Sequence, residues 1–252
     1  MKAIILAAGY ATRLYPLTVN TPKCLLNVGG VPMIDIICEK IKGSKHIDGI
    51  IIVTNDRFYK QLEDWKAKRK SSLPVRIVND KTTSNDNRLG AIGDLRLALK
   101  AAGIKESFVM LASDNLFDMD LNDFMTFAEK HADAASTGLF DIKAPSLAAG
   151  KYGVVEINEA GEITGMEEKP QKPKTSLIGT GVYYFPASVI ALVDKYLNSS
   201  EAKDAPGHFI RWLNGHVKIF GFILKGMWYD IGDLKSLEEA DRIFSSKING
   251  RV

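Results

Sequence analysis

Residues 3–9 read Ala3-Ile4-Ile5-Leu6-Ala7-Ala8-Gly9, four apolar residues followed by two alanines and a glycine. A short run that is apolar at every position and stops at glycine is typical of a strand buried on both faces of a parallel sheet. Three similar runs follow at 50–53, 75–78 and 108–112, and helical patterns occupy 33–41, 58–70, 90–102 and 121–131. Strands that alternate with helices predict βαβ units, right-handed crossovers and an α/β fold.

The pattern changes after about residue 134. Strand-like runs lie at 135–140, 154–157, 163–167, 181–185, 217–220 and 222–224, and helical patterns at 187–196, 209–213 and 234–245. Asp233 is the predicted N-cap of the last helix. Because no long linker interrupts the chain, we expect one domain over residues 1–252, with a first part at 1–133 and a mixed lobe at 134–252.

The composition excludes several classes of protein. The 33 basic and 30 acidic residues leave a net charge of only +3, and the densest basic run closes a predicted helix, so we expect no nucleic-acid partner. No segment approaches the roughly 18 apolar residues of a membrane span, and no signal peptide is visible. We therefore expect a cytoplasmic protein without membrane association. Cys24 and Cys38 lie in apolar surroundings and are predicted to be buried free thiols.

Ligands of open α/β sheets bind beyond the carboxyl ends of the strands. The loop after the first predicted strand contains Ala7, Ala8 and Gly9, whose small side chains let backbone N–H groups approach a phosphate. Arg13 and Lys23 add two cations, which a triphosphate requires as charge moves onto its leaving group. A plain strand-to-helix turn with surface cations stays open as the alternative. The loop is neither a Walker A nor a dinucleotide-binding motif.

The longer segment resembles the signature of the sugar-1-phosphate nucleotidyltransferases, the pyrophosphorylases that make nucleotide sugars. The matching stretches are 6–9, 12–14, 16–18 and 22–23. Ala11 stands where many members have glycine, and alanine still fits there if its φ is negative. Asp114, after the fourth strand run, and Asp230, in a Trp-x-Asp-x-Gly stretch, resemble the two carboxylates with which the family binds Mg²⁺.

The resemblance extends to further site residues in family order. It implies catalytic roles for Arg13, Lys23 and Asp114, nucleotide binding by Leu6, Ala7, Ala8, Gly9, Asn85, Leu89 and Gly90, and acceptor binding by Asn115, Tyr152, Gly153, Glu168, Lys169, Thr180 and Gly181. The motif typical of thymidylyltransferases and many uridylyltransferases is missing, so the nucleobase stays open. The implied cofactor is Mg²⁺, held by Asp114 and Asp230.

The implied fold is a Rossmann-like three-layer α/β sandwich with a mostly parallel mixed sheet and a smaller sugar-binding lobe. The implied activity joins a nucleoside triphosphate to a sugar 1-phosphate and releases pyrophosphate, in a compact form without a C-terminal β-helix. A non-sugar phosphate or phosphonate acceptor, or a non-catalytic sensing homologue, are the alternatives. A nicotinamide-dependent oxidoreductase is disfavoured because its dinucleotide loop is missing. The oligomeric state, including a homo-oligomer, and an allosteric nucleotide site are left open.

Overall fold

The computed structural model describes residues 1–203 and 205–249, with side chains as far as residue 246. The strands are β1 Lys2–Leu6, β2 Asn27–Val28, β3 Val31–Pro32, β4 Gly49–Thr54, β5 Val75–Asn79, β6 Phe108–Ala112, β7 Asn115–Phe117, β8 Ala135–Asp141, β9 Gly153–Ile157, β10 Ile163–Glu168, β11 Leu177–Phe185, β12 Ile219–Ile223 and β13 Trp228–Asp230. The helices are α1 Met33–Lys42, α2 Asp56–Lys68, α3 Ala91–Ala102, α4 Leu121–Glu129, α5 Val189–Leu197, α6 Pro206–Leu213 and α7 Leu234–Asn249.

A nine-stranded sheet runs through both parts of the chain, in the order β10-β9-β11-β6-β1-β4-β5, with β8 paired to β11 and β12 paired to β8. The strands β6, β1, β4 and β5 are parallel, and Ile4 of β1 lies beside Ile51 and Met110. The long strand β11 pairs antiparallel with β6, β8 and β9, so it joins the parallel part to the later lobe. The predicted α/β class with a central, mostly parallel sheet is confirmed.

Alternate residues of the central strands enter two separate cores. Ile5 and Ile52 pack in the core that includes α1 and α4, whereas Ile4 and Ile51 pack in the core that includes α3, α5 and α6. This alternation follows from the period of two of a β-strand, and the two cores give the predicted three layers. Cys24 and Cys38 are buried free thiols, as expected.

Several boundaries differ from the sequence prediction. The two strand signals at 217–220 and 222–224 form the single strand β12, which continues through Gly221 in parallel register with β8. Helix α4 ends at Glu129 rather than at residue 131, and α2 begins two residues early because the side chain of Asn55 caps it. Asp233 caps α7 as predicted, since its Oδ1 accepts the Ser236 N–H at 2.8 Å. Among the described residues, no helix has the length and apolar character to cross a membrane.

Candidate active site

Three hydrogen bonds, two with the end of β4 and one with Thr18, fix the shape of the loop after β1. The Ala7 N–H donates to the Val53 carbonyl at 2.8 Å, and the Asn55 side chain donates to the Ala8 carbonyl at 2.9 Å. The Thr18 hydroxyl donates to the Ala11 carbonyl at 2.8 Å. Because the Ala8 and Ala11 carbonyl oxygens accept hydrogen bonds from Asn55 and Thr18, the loop is preorganised before any ligand binds.

Ala11 has a φ of 47° and a ψ of 44°, which places it in the left-handed region. The negative φ under which alanine would fit without strain is therefore not found. For an L-residue this conformation costs roughly 1–2 kcal/mol, because Cβ approaches a carbonyl oxygen. The Thr18 hydrogen bond and the short helical turn at Thr12–Leu14 hold the residue in this geometry.

The carboxylates of Asp114 and Asp230 are brought together by a small second sheet. Strands β7 and β13 pair antiparallel, with Asp230 opposite Asn115, and the Ile231 N–H donates to the Asp114 carbonyl at 3.0 Å. The Asn115 side-chain amide lies 2.9 Å from Asp114 Oδ1 and 3.5 Å from Asp230 Oδ1. One amide nitrogen thus reaches both acidic groups, although 115 positions separate Asp230 from Asn115 in sequence.

The two carboxylates differ in charge environment. Burial raises the pKa of Asp114, but the adjacent Lys23 ammonium, 2.7 Å from Oδ2, and the Asn115 amide outweigh burial and lower the pKa below its ordinary value. Burial, followed by repulsion from Asp114, raises the pKa of Asp230 to about 6. Two partly buried carboxylates at close range repel each other, so the site is set up to receive positive charge.

Two cavities adjoin at these residues. The smaller cavity, of about 370 Å³, lies between the loop after β1 and the start of α3. The larger cavity, of about 740 Å³, lies between the carboxylates and the later lobe. Five residues line both cavities: Arg13, Ala112, Asp114, Tyr183 and Pro206.

The smaller cavity contains most of the residues predicted to bind nucleotide. Its lining includes Leu6, Ala8, Gly9, Asn85 and Gly90. The other two predicted residues do not line it: Ala7 is buried beneath the loop, and the side chain of Leu89 is exposed. The Arg88 guanidinium is held by the Asn85 side chain at 2.9 Å, at the rim of this cavity.

The larger cavity contains most of the residues predicted to bind the acceptor. Its lining includes Asn115, Tyr152, Gly153, Glu168, Lys169 and Gly181. Thr180 is fully buried and does not line the cavity. Its hydroxyl donates to the Gly138 carbonyl at 2.9 Å, and its own carbonyl accepts the Trp228 indole N–H at 3.3 Å. Thr180 therefore connects strands behind the cavity wall.

The side chain of Glu168 occupies space that two glycines leave open. A Cβ at Gly153 would lie 2.8 Å from Glu168 Oε2, and a Cβ at Gly207 would overlap Oε2 and lie 2.8 Å from Cδ. The side chain of Glu168 is only 11% exposed, and Lys169 Nζ lies 3.9 Å from its Oε1. The carboxylate of Glu168 is thus held at the wall of the larger cavity by close backbone packing.

Comparison with known sequences and structures identifies the family to which this site belongs. The profile of the nucleotidyl transferase family matches residues 2–247. The chain belongs to the nucleotidyl transferase family. Mannose-1-phosphate guanylyltransferase 1 of Arabidopsis thaliana is 31% identical over 238 residues, which cover 92% of this chain and 61% of that protein. The bifunctional protein GlmU of Methanocaldococcus jannaschii is 28% identical over 249 residues, with 99% and 55% covered.

This nucleotidyl transferase chain spans 55% of the length of the GlmU protein, so it corresponds to about half of that relative. The crystal structure of a Bacillus anthracis protein, assigned as a glucose-1-phosphate thymidylyltransferase, superposes with a TM-score of 0.84 at 26% identity. The match covers 97% of this chain and 95% of the other. The sheet and the two cavities therefore lie in a framework shared with that structure.

The donor set of this nucleotidyl transferase fits a hard divalent cation. Asp114 and Asp230 offer carboxylate oxygens on either side of the Asn115 amide, and burial together with repulsion from Asp114 raises the pKa of Asp230 to about 6. Mg²⁺ prefers oxygen ligands and commonly takes one or two carboxylates together with phosphate oxygens and water. Within residues 1–203 and 205–249, no group of three or more His, Cys, Asp or Glu side chains is arranged to hold an ion.

The motif search missed two residues of these cavities. Asp94 lies in the first turn of α3, lines the smaller cavity and is only 6% exposed. Asp94 lies four positions before Ala98, so the two residues share the apolar face of the helix. An acidic residue on an apolar face is the signal that could have identified Asp94 from the sequence. Gly207, in the first turn of α6, packs against Glu168, and its signal is a glycine directly after a proline that begins a helix.

Proposed function

We propose that this nucleotidyl transferase joins a nucleoside triphosphate to a sugar 1-phosphate, releases pyrophosphate and depends on Mg²⁺. One observation carries the proposal: the smaller and the larger cavity adjoin at Arg13 and Asp114. A triphosphate in the smaller cavity and a sugar phosphate in the larger one would bring their phosphates together at this junction. The relatives named as sugar-phosphate nucleotidyltransferases support the same substrate classes.

The reaction that this arrangement serves is an in-line displacement. An oxygen of the acceptor phosphate forms a bond to the α-phosphorus, and the bond from the α-phosphorus to the bridging oxygen of pyrophosphate breaks. The nucleophile is already ionised near neutral pH, so no general base is required. Catalysis then rests on positioning and on stabilising charge.

The cations of the site have separate tasks in this proposal. Arg13 lines both cavities and would stabilise charge that develops on the departing pyrophosphate. Lys23 lies 2.7 Å from Asp114 Oδ2, where it keeps that carboxylate ionised and adds positive charge beside the α-phosphate. A Mg²⁺ ion held by Asp114 and Asp230 would supply Lewis-acid neutralisation of the phosphate oxygens.

The later lobe would bind the acceptor. The Glu168 carboxylate, fixed against Gly153 and Gly207, would accept hydrogen bonds from sugar hydroxyls. The Lys169 side chain is 54% exposed at the cavity lining, so its ammonium is free to turn towards the acceptor phosphate. The aromatic ring of Tyr152 packs edge-on against Trp228 and forms an apolar wall on which a sugar ring can lie.

A matrix of activities tests the proposal. Each of five nucleoside triphosphates is incubated with a panel of sugar 1-phosphates, alditol phosphates, choline phosphate and phosphonates, with Mg²⁺ and with EDTA. We expect pyrophosphate release with at least one sugar 1-phosphate, abolished by EDTA and by Asp114→Asn. Release only with non-sugar acceptors would reject the acceptor class, and no release with any pair would reject the enzymatic activity.

A further inference from the structure

Tyr183 is a polar residue to which the proposed chemistry assigns no task. It lies on β11 beside Met110 of β6, lines both cavities and is only 6% exposed. Its hydroxyl forms no hydrogen bond with any residue that the structure describes. A tyrosine buried this deeply usually has a partner for its hydroxyl, so the missing bond indicates a group that enters one of the cavities.

The Tyr183 hydroxyl faces the cavities and not the protein interior. Among the described residues, polar atoms that lack a partner and are also sealed from solvent include Thr54 Oγ1 and Ser136 Oγ, but not the Tyr183 hydroxyl. The exposed part of Tyr183 therefore includes this hydroxyl, and the space beside it belongs to the two cavities. The ring behind it is stacked on Phe185, with the ring centroids 5.9 Å apart, so the hydroxyl has a fixed place at the cavity junction.

The next residue of the same strand, Tyr184, has a structural hydroxyl instead. Its side chain enters the other core, and its hydroxyl donates to the Ala132 carbonyl at 3.2 Å. Successive residues of a strand point to opposite faces of the sheet, which separates the two tyrosines. One hydroxyl of β11 is therefore used within the fold, and the other is left for a ligand.

The charge state of Tyr183 narrows the kind of group that it can bind. Burial, and then repulsion from the Glu168 carboxylate, raises the pKa of Tyr183, so the hydroxyl keeps its proton near neutral pH. A neutral hydroxyl can both donate and accept a hydrogen bond, which suits a sugar hydroxyl or an amide. The phosphates already have Arg13 and Lys23 in the proposed function, so an uncharged substituent of the acceptor is left for Tyr183.

The position of Tyr183 determines which substituent it can reach. A sugar 1-phosphate in the larger cavity would place its phosphate at the junction, and the first polar substituent beside C1 on the sugar carbons is the one at C2. Tyr183 lines both cavities, whereas Glu168 lines the larger one, so Tyr183 lies closer to the junction. We propose that Tyr183 determines acceptor specificity by binding the polar substituent at C2 of the sugar. The inference rests on the proposed function, which assigns the larger cavity to the sugar 1-phosphate.

Acceptors that differ at C2 test the assignment by their rates of pyrophosphate release. 2-Deoxyglucose 1-phosphate lacks the polar C2 substituent of glucose, mannose and N-acetylglucosamine 1-phosphate, and 2-deoxygalactose 1-phosphate lacks that of galactose 1-phosphate. For the wild type, we expect kcat/KM of the best parent sugar to exceed that of its 2-deoxy analogue by about tenfold or more, because a buried hydroxyl left without its partner is costly. Equal values for parent and analogue would overturn the proposal.

Tyr183→Phe makes the test specific, because it keeps the ring and removes the hydroxyl alone. Its kcat/KM should fall for the parent sugar and stay within about twofold of the wild type for the analogue, so the ratio of the two should approach one. The midpoint of thermal unfolding should stay within about 2 °C of the wild type, since the hydroxyl has no partner among the described residues to lose. Tyr184→Phe is the matched control and should keep the wild-type ratio. Equal losses on parent and analogue, an unchanged ratio, or a clearly less stable Tyr183→Phe variant would overturn the assignment.

The outcome for Tyr183 can be told apart from that for the proposed function. Pyrophosphate release from none of the sugar 1-phosphates would reject the proposed function and, with it, the assignment of Tyr183. Release that is equally efficient with and without the C2 substituent would keep the proposed function and reject the assignment. Because this second comparison uses the wild-type protein, it decides the question without any variant.

Discussion

Replacement of Gly207 by alanine should weaken acceptor binding without damage to the fold. The new Cβ would overlap Oε2 of Glu168 and lie 2.8 Å from Cδ and 3.3 Å from the Met166 methyl group. The backbone of α6 is packed and cannot yield, whereas the Glu168 carboxylate is the end of a flexible side chain. We therefore expect the carboxylate to move away from the wall of the larger cavity.

The size of the increase in the KM for the acceptor follows from the hydrogen bonds that Glu168 would lose. Hydrogen bonds to a charged group contribute about 1.5–3 kcal/mol each, so the KM for the acceptor should rise about 10- to 100-fold. The KM for the nucleotide should change less than about twofold, because Gly207 does not line the smaller cavity. Alanine also favours a helix over glycine by about 1 kcal/mol, which offsets part of the packing strain.

The assay is steady-state pyrophosphate release with each substrate varied in turn. Gly215→Ala is the matched control, since its Cβ would make only an ordinary contact of 3.5 Å with the Trp212 carbonyl. Gly207→Ala combined with Glu168→Ala should be little worse than Glu168→Ala alone, because both changes remove the same interaction. Additive losses, or equal increases in KM for both substrates, would refute the reasoning.

Three other predictions concern single residues. Asp230→Asn should lower turnover by about 1,000-fold or more while the circular dichroism spectrum stays unchanged; near-normal turnover would contradict the metal assignment. Ala11→Gly should raise the free energy of unfolding in urea by up to about 1 kcal/mol, since it relieves the left-handed alanine, and a loss of stability would contradict this. Asp94 is neutral in the folded protein up to its pKa of about 8 but ionises near pH 4 when unfolded, so the wild type loses stability as pH rises through this range. Asp94→Asn should be more stable than the wild type at pH 8 by about 2–4 kcal/mol, with little difference at pH 4.

The parallel core was predictable because its strands are apolar at every position. Runs such as 50–53 and 108–112 leave no polar face, so they fit only a sheet covered on both sides, and the alternating helices provide the cover. The carboxyl ends of these strands, in turn, locate the site. Arg13, Asp114 and Gly9 line one cavity because the edge of a parallel sheet gathers residues that follow different strands.

The pairing of β7 with β13 was not predicted, and only the resemblance suggested that Asp114 and Asp230 meet. Each strand has only three residues, too few for a periodic pattern in the sequence. The paired residues are also more than 100 positions apart, so no local sequence signal indicates their pairing. The burial of Thr180 was missed for a related reason, because a threonine beside two glycines fits a ligand wall and a strand contact equally well. The backbone at Ala11 is imposed by Thr18 and by the following turn, whereas alanine itself favours a negative φ.

Strand β11 explains how both halves of the site are held in register. It pairs with β6 beside the carboxylates and with β8 and β9 in the lobe, and its pairing with β8 shifts between Gly179 and Tyr183. At this irregularity Gly181 has a φ of 73°, and a Cβ there would lie 2.8 Å from the Cβ of Ala112. The later lobe thus approaches the end of β6 as closely as a backbone without a side chain allows. Since an error of about 1 Å between reacting groups can cost about 100-fold in rate, we expect a side chain at Gly181 to disturb the alignment of the two cavities and to slow the proposed reaction.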